Sequence, residues 1–252
     1  MHFPKRILKI SWLWLPYLLI LPFLLVAKVI GYIFLILSIH EMAHILCAIL
    51  FHYPIKQVTV YPFGLAATIS YIGYGNLIKE TIILSAGPLS HVLMPHLFLM
   101  FYEANWISAS FLSYLKMINA SILIFNLLPI YPLDGGRLLQ VFFHSFLRFT
   151  PANKATLITS IIVILWVFTL HVLSGFSGFI VLIFLLLQII SSYRKLGIMR
   201  QQFYHYRLHH PVHDPLIMNE KSELYRGRYN MIHRKRGWMR EEDWLQAHFP
   251  KS

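Results

Sequence analysis

Two histidines and a glutamate are spaced so that they can hold and use a metal ion. His40, Glu41 and His44 form the pattern His-Glu-x-x-His. On a helix, residues four apart share a face, so His40 and His44 can present ring nitrogens to one ion. Glu41 lies about 100° further round the axis, beside the ion, where a carboxylate can act as general base. The pattern therefore indicates metal-assisted hydrolysis, with Glu41 as the proton acceptor.

A third ligand is expected from another acid within the apolar part of the chain. Catalytic zinc usually takes three protein ligands and keeps one position for water. Residues 1–193 contain four acids, and Asp134 is the obvious candidate among them. It lies in the run 126–136, whose two prolines and two glycines break a helix and need a protein-lined cavity. We predict one zinc ion per chain, although iron and manganese accept the same ligand types.

The same residues could also be two core histidines, hydrogen-bonded to their neighbours, beside a paired glutamate. The composition of the chain helps to decide between this interpretation and a metal site. The chain is 57% hydrophobic and only 13% charged, with a mean hydropathy of +0.60. Such a composition is typical of a chain that lies in a bilayer. Three adjacent polar residues inside a span need a common partner, which a metal supplies. A single cysteine, Cys47, excludes an internal disulfide and a cysteine-only metal site.

The elements that must position these residues are predicted to be membrane helices. The predicted spans are about 11–28, 31–51, 80–101, 112–130, 157–173 and 177–193. Lys28 and Gly31 predict a tight turn between the first two spans, and residues 133–156 are predicted to be a polar connection. Between the second and third spans, β-branched residues with Pro62 and Gly64 predict a short hairpin at 56–69. The predicted fold class is an all-α integral membrane protein with six transmembrane helices and one membrane-associated hairpin.

The basic residues predict the orientation and the role of the tail. With the N-terminus inside, the inner segments hold most of the Lys and Arg residues, so both termini are predicted to be cytoplasmic in a bacterial cell membrane. Residues 194–252 hold 12 of the 22 Lys and Arg and form a predicted basic cytoplasmic tail. Attachment to anionic lipid or docking of a cytoplasmic substrate suits this tail. We predict no nucleic-acid binding, since no recognised motif accompanies the basic residues.

Three motifs in order resemble a known family. They are His40–His44, the run Gly87–His91 and the run 126–136. Together they resemble the site-2 proteases, the intramembrane zinc metalloproteases of peptidase family M50, over about residues 1–200. The resemblance implies that His40, His44 and Asp134 bind zinc and that Glu41 is the general acid and base. It also implies that Asn126 lies near the scissile bond, whereas a plain interpretation makes Asn126 a helix-capping or interhelical amide.

Within that family the combination is most similar to the sporulation proteases of endospore-forming bacteria, which share the Pro62-Phe63-Gly64 hairpin. This similarity implies removal of the pro-sequence of a sigma factor, pro-sigma-K, in the mother-cell membrane around the forespore. It also implies membrane inhibitor proteins as partners. These proteases carry a nucleotide-binding CBS domain, to which residues 194–252 show no clear match. The alternative substrates are therefore an anti-sigma factor or a signal-peptide remnant, and a homo-oligomer stays open.

Two other classes of function compete with a protease. One is a catalytically silent membrane scaffold, which the complete motif argues against. The other is a metal transporter, for which polar positions recurring along several spans would be expected. Two further histidines, His91 and His96, are interpreted as partners in interhelical hydrogen bonds rather than as ligands.

Overall fold

Contacts between residues divide the chain into two compact units. The computed structural model describes residues 8–12, 27–61, 64–170, 175–213, 215–220, 223–234 and 237–249. The first unit comprises Met1–Ser70 and Ile82–Leu127, and the second comprises Tyr71–Thr81 and Leu128–Ser252. These units reflect contacts and not which residues lie in a bilayer. The division into a membrane domain (1–193) and a tail (194–252) therefore stays a prediction.

The first unit contains three helices and a three-stranded sheet. Its elements are β1 (Leu8–Ile10), α1 (Ala27–Leu50), β2 (Ile55–Tyr61), β3 (Gly64–Ile69), α2 (Leu77–Glu103, from Ile82 onward) and α3 (Ala109–Leu127). Strand β1 pairs in parallel with β2, and β2 pairs antiparallel with β3, so β3 is an edge strand. At the start of β3, Gly64 has φ +148°, and an added Cβ would lie 2.8 Å from Leu37 Cβ. Glycine therefore lets the hairpin approach α1 closely.

The helices of the first unit share an apolar core and are apolar on the outside as well. Ile36, Phe98 and Leu115, which come from α1, α2 and α3, are fully buried. On the outer faces, Leu93 is 70% exposed and Ile124 is 65% exposed. Helices that are hydrophobic all round suit a lipid surrounding.

Four described helices are long and apolar enough to cross a membrane. They are Lys28–Leu50, Leu77–Glu103, Ala109–Leu127 and Phe149–Thr169. A fifth candidate is the pair Gly178–Arg194 and Leu196–His209, which is bent by 59°. Most of the predicted first span, 11–28, lies outside the described residues. The count of six spans therefore stays a prediction.

The predicted turn at Lys28 and Gly31 is wrong. Helix α1 begins at Ala27 and passes through both residues. A helix tolerates one glycine at a cost of about 1 kcal/mol. The Lys28 ammonium lies 5.1 Å from the centroid of the Phe111 ring, which gives its charge a favourable partner without a turn.

The second unit contains five further helices and a second three-stranded sheet. Its elements, besides the start of α2, are α4 (Asp134–His144), α5 (Phe149–Thr169), α6 (Phe176–Arg194), α7 (Leu196–His209), β4 (Leu216–Asn219), β5 (Tyr229–Arg234), β6 (Gly237–Arg240) and α8 (Glu241–His248). Strand β4 pairs in parallel with β5, and β5 pairs antiparallel with β6. The rings of Phe149 and Phe203 stack at 4.4 Å inside a core that includes Ile232 and Trp244.

Two expectations need correction in this unit. The predicted polar connection, 133–156, contains helix α4 and the start of α5, because α4 is amphipathic and buries Gln140 and Val141 on one face. The chain is mostly helical rather than all-α, since two small sheets accompany the helices. The second sheet completes an apolar core with residues of α5, α7 and α8, which explains why short, charged strands are stable there.

A buried ion pair connects the start of α2 with the segment before β5, and its loss should destabilise the second unit. Glu80 pairs with Arg226, and both side chains are almost fully buried. The Glu80 carboxylate also accepts the backbone N–H groups of Gly73 and Gly75, each at 3.0 Å. Removing one partner of a buried pair leaves the other charge uncompensated, which typically costs about 3–5 kcal/mol.

We therefore expect Glu80→Gln to lower the thermal unfolding temperature of the detergent-solubilised chain clearly below that of the wild type. Glu103→Gln is the matched control, since Glu103 ends the same helix and is exposed. Circular dichroism at the α-helical band measures both variants. Equal unfolding temperatures for Glu80→Gln and the control would contradict a stabilising role of the pair.

Candidate active site

The three residues of the motif meet on the buried side of helix α1. His40 and His44 are each 6% exposed, and their Nε2 atoms lie 3.2 Å apart. One potential ligand atom from each of His40, Glu41 and His44 lies within 4.8 Å of the others. One turn of helix thus brings two imidazoles and a carboxylate together, as their spacing predicts.

The ring of His44 is oriented by helix α2. His44 Nδ1 lies 2.7 Å from the carbonyl oxygen of Ile83. Because a carbonyl can only accept, His44 Nδ1 must carry the proton and donate it. The neutral ring then has its lone pair on Nε2, which is the atom that faces His40. Metal-binding histidines are commonly held in this way, with the second ring nitrogen donating to a carbonyl.

The carboxylate of Glu41 is held by the edge strand β3. The backbone N–H of Ala67 donates to Glu41 Oε1 at 2.6 Å. This short bond fixes the carboxylate through Oε1. Because the Ala67 N–H reaches Glu41, this part of β3 directs its backbone groups away from β2 and toward helix α1.

Helix α2 passes very close to the two histidines at a glycine. A Cβ added at Gly87 would lie 2.2 Å from His44 Nε2 and 2.7 Å from His40 Cε1. No side chain larger than hydrogen fits there, so only a glycine at position 87 lets helix α2 pass this close to the two rings. The Ser90 hydroxyl donates to the Gly87 carbonyl oxygen at 2.6 Å, which ties this turn of α2.

The remaining predicted site residues lie at the ends of other helices. Asn126 is half-buried near the end of α3, and its Nδ2 donates to the carbonyl oxygen of Ile122 in the same helix at 3.0 Å. Asp134 is half-buried and begins α4 in the second unit, directly before the buried Gly135 and Gly136. The roles of Asn126 in substrate binding and of Asp134 in metal binding stay predictions.

The donor set of the first unit fits a zinc ion. Two imidazole nitrogens and a neighbouring carboxylate are ligand types that zinc accepts, and His44 already has the tautomer that a metal needs. The two Nε2 atoms lie 3.2 Å apart, which is close enough for them to bind one ion together. Residues His40 and His44 can therefore hold the ion, with Glu41 beside it.

Both the fold and the sequence of the chain are similar to those of known proteins. The fold is similar to that of the site-2 protease from Methanocaldococcus jannaschii, with a TM-score of 0.55 and 19% identity, over 76% of this chain and 93% of that one. The family model of peptidase family M50 matches residues 102–170, which include Asn126 and Asp134. The predicted resemblance to the site-2 proteases is therefore confirmed.

A particular relative is also found. Stage IV sporulation protein FB of Bacillus subtilis is 34% identical to this chain over 165 residues. The match covers 64% of this chain and 57% of that protein, so it spans somewhat more than half of the relative's length. The chain is thus similar to this sporulation protein over part of its length.

Several residues of the site were not singled out for chemistry by the sequence. Ala67, Gly87, His91 and Asn119 contact the motif or its neighbours from three other elements. His91 is buried and makes hydrogen bonds to other helices, as predicted, whereas His96 is exposed. Only the run Gly87–His91 gave a signal, through its resemblance to the family.

Proposed function

We propose that the chain is an intramembrane zinc metalloendopeptidase. The observation that carries the proposal is the convergence of His40 Nε2 and His44 Nε2 beside the Glu41 carboxylate on a helix apolar enough to cross a membrane. Ionisable residues within a membrane span are energetically unfavourable, so a cluster of them indicates a functional site. The similarity to peptidase family M50 supports the same class of activity.

Each residue of the site has its own proposed role in peptide hydrolysis. His40 and His44 would hold the zinc ion, and Asp134 is proposed as the third ligand. Zinc would supply Lewis acidity, which lowers the pKa of a water to about 7 and polarises a carbonyl. Glu41 accepts the proton of the attacking water through Oε2 and later donates it to the leaving amine. The Ala67 N–H keeps Oε1 of the same carboxylate in place during both transfers.

Asn126 is proposed to orient the substrate by donating to its scissile carbonyl. Its amide group currently donates to Ile122 of its own helix, so it must exchange that bond for one to the substrate. Such an exchange trades one amide–carbonyl bond for another and costs little. The donor then contributes most where negative charge develops on the carbonyl oxygen.

The substrate is proposed to bind as an extended strand on β3. A helix hides its peptide bonds in hydrogen bonds, so a membrane-spanning substrate must unwind before cleavage. Strand β3 is the edge of its sheet, and at Ala67 its outer side faces Glu41. Pairing with the edge beside Ala67, whose own N–H stays bonded to Glu41, would bring the peptide bonds of the substrate close to the carboxylate.

The arrangement in the membrane and the partners are proposed on the basis of the charge pattern and the relative. We propose six spans with both termini in the cytoplasm, and a tail, 194–252, that binds anionic lipid. The substrate proposed is a membrane-associated sigma-factor precursor of the pro-sigma-K type, because a sporulation protein is 34% identical. A different membrane substrate is the alternative, and membrane inhibitor proteins are further proposed partners.

Co-expression with a pro-sigma-K-like substrate tests this proposal. We expect the wild type to give a shortened product in a host that lacks both proteins. We expect the solubilised enzyme to give no product after a chelator has removed its zinc. Restoring zinc should restore cleavage. Asp134→Asn should lower both the zinc content and the yield of product. A wild type that contains no zinc, or that cleaves equally in excess chelator, would overturn the assignment as a metalloprotease.

A further inference from the structure

We propose that His91 and Asn119 are positioning residues that fix the tautomer of the metal ligand His40. This inference rests on the proposed zinc site and adds two residues to it. His91 comes from helix α2 and Asn119 from helix α3. Both are nearly inaccessible, with exposures of 1% and 4%.

The orientation of the Asn119 amide is set by two contacts with a single residue. Its Nδ2 donates to the backbone carbonyl oxygen of His91 at 3.0 Å. Its Oδ1 lies 2.7 Å from His91 Nδ1. A flipped amide would place oxygen against oxygen at the first contact, so this orientation is the favourable one. Since Oδ1 can only accept, His91 Nδ1 carries the proton.

The proton on His91 Nδ1 determines the state of His40. A neutral imidazole has one donor and one acceptor nitrogen, so Nε2 of His91 is an acceptor. This atom lies 3.0 Å from His40 Nδ1, which must therefore carry the proton of its own ring. The lone pair of His40 is then on Nε2, facing His44 Nε2 at 3.2 Å.

The two histidines thus reach the same tautomer by separate routes. His44 is fixed directly by the Ile83 carbonyl, whereas His40 is fixed through His91 and Asn119. With both Nδ1 atoms acting as donors, the two lone pairs lie on the Nε2 atoms, which face each other close to Gly87. The arrangement favours a cation over a hydrogen bond between two neutral rings. Outer contacts of this kind typically contribute about 10–100-fold to metal affinity.

His91 acts through His40 and not as a ligand. Its Nε2 faces the Nδ1 side of the His40 ring, away from the nitrogen that would bind the ion. A merely structural role would be to fill the space between α1, α2 and α3. The two roles differ in their chemistry, because tautomer control needs an acceptor at the position of His91 Nε2, whereas packing needs only volume.

Zinc affinity of the purified full-length chain in detergent separates these roles. We expect His91→Leu, which keeps volume but has no acceptor, to raise the Kd for zinc by about 10–100-fold. His91→Gln places an amide oxygen near the former Nε2 and should restore most of the affinity. Asn119→Leu should weaken zinc binding in the same direction as His91→Leu. His96→Leu, an exposed histidine on the same helix, is the control and should bind zinc as the wild type does.

Competition with a chromophoric chelator measures the Kd, and circular dichroism of the zinc-free chain checks that each variant is folded. Wild-type zinc affinity in a folded His91→Leu or Asn119→Leu variant would overturn the proposal, as would equally weak binding by His91→Gln and His91→Leu. A wild type that binds no zinc would instead contradict the proposed function itself.

Discussion

Glu41→Gln is expected to reduce the rate of substrate cleavage by about 10²–10⁴-fold while leaving the zinc content at the wild-type level. Glutamine keeps an oxygen that can accept the Ala67 N–H, which Glu41 Oε1 accepts at 2.6 Å. Its amide cannot take a proton from water or return one to the leaving amine. The variant therefore separates proton transfer from metal binding and from the position of β3.

The measurement is the yield of shortened substrate over time, with zinc determined in the same purified samples. Glu103→Gln is a suitable control, because Glu103 is an exposed carboxylate at the end of α2. It should cleave as the wild type does. If Glu41→Gln cleaved at the wild-type rate, Glu41 would not be the general base. If it lost zinc instead, Glu41 would be a ligand.

The chemical residues that could be predicted from the sequence are those whose relation is local. His40, Glu41 and His44 lie within about one turn of a single helix, so the helical repeat alone predicts that their side chains meet. The presence of several long apolar helices was also predictable, because the thickness of the bilayer sets their length. Helix α2 begins three residues before the predicted start of its span, at Leu77 rather than 80.

The residues that orient this motif could not be predicted from its spacing. Ala67 lies 26 positions along the chain from Glu41, and Gly87 lies far along the chain from His44, but tertiary packing brings each pair into contact. Asn119 reaches the motif only through His91. No periodic pattern records such contacts, since they depend on how three helices and a hairpin pack.

The strands of the second unit could not be predicted from the sequence for a different reason. Strands β4 and β6 have only four residues each, and β5 ends in His233 and Arg234. Such segments lack the long apolar alternation that predicts a strand. They are stabilised by distant residues, such as Phe149 and Trp244, which share their core. Composition therefore indicated the basic charge of residues 194–252 but not the sheet that they contain.

Gly87→Ala is expected to lower cleavage by at least about 10²-fold, because a displacement of about 1 Å at a reacting centre can cost that much. The new methyl group would lie 2.2 Å from His44 Nε2. The His44 ring cannot easily move aside, since its Nδ1 donates to Ile83 at 2.7 Å. Either the ring leaves that bond or helix α2 shifts, and both changes disturb the metal ligands.

The Gly87→Ala substitution tests the contact with His44 and not the stability of the helix. Alanine is a better helix former than glycine by about 1 kcal/mol, so the helix itself should not weaken. Gly31→Ala is the matched control, because Gly31 lies in helix α1 with nothing within 4 Å of an added Cβ. We expect Gly31→Ala to retain zinc and activity, whereas folded Gly87→Ala loses both. Full zinc content and full cleavage in Gly87→Ala would mean that the space in front of His40 and His44 is not where the ion and the substrate bind.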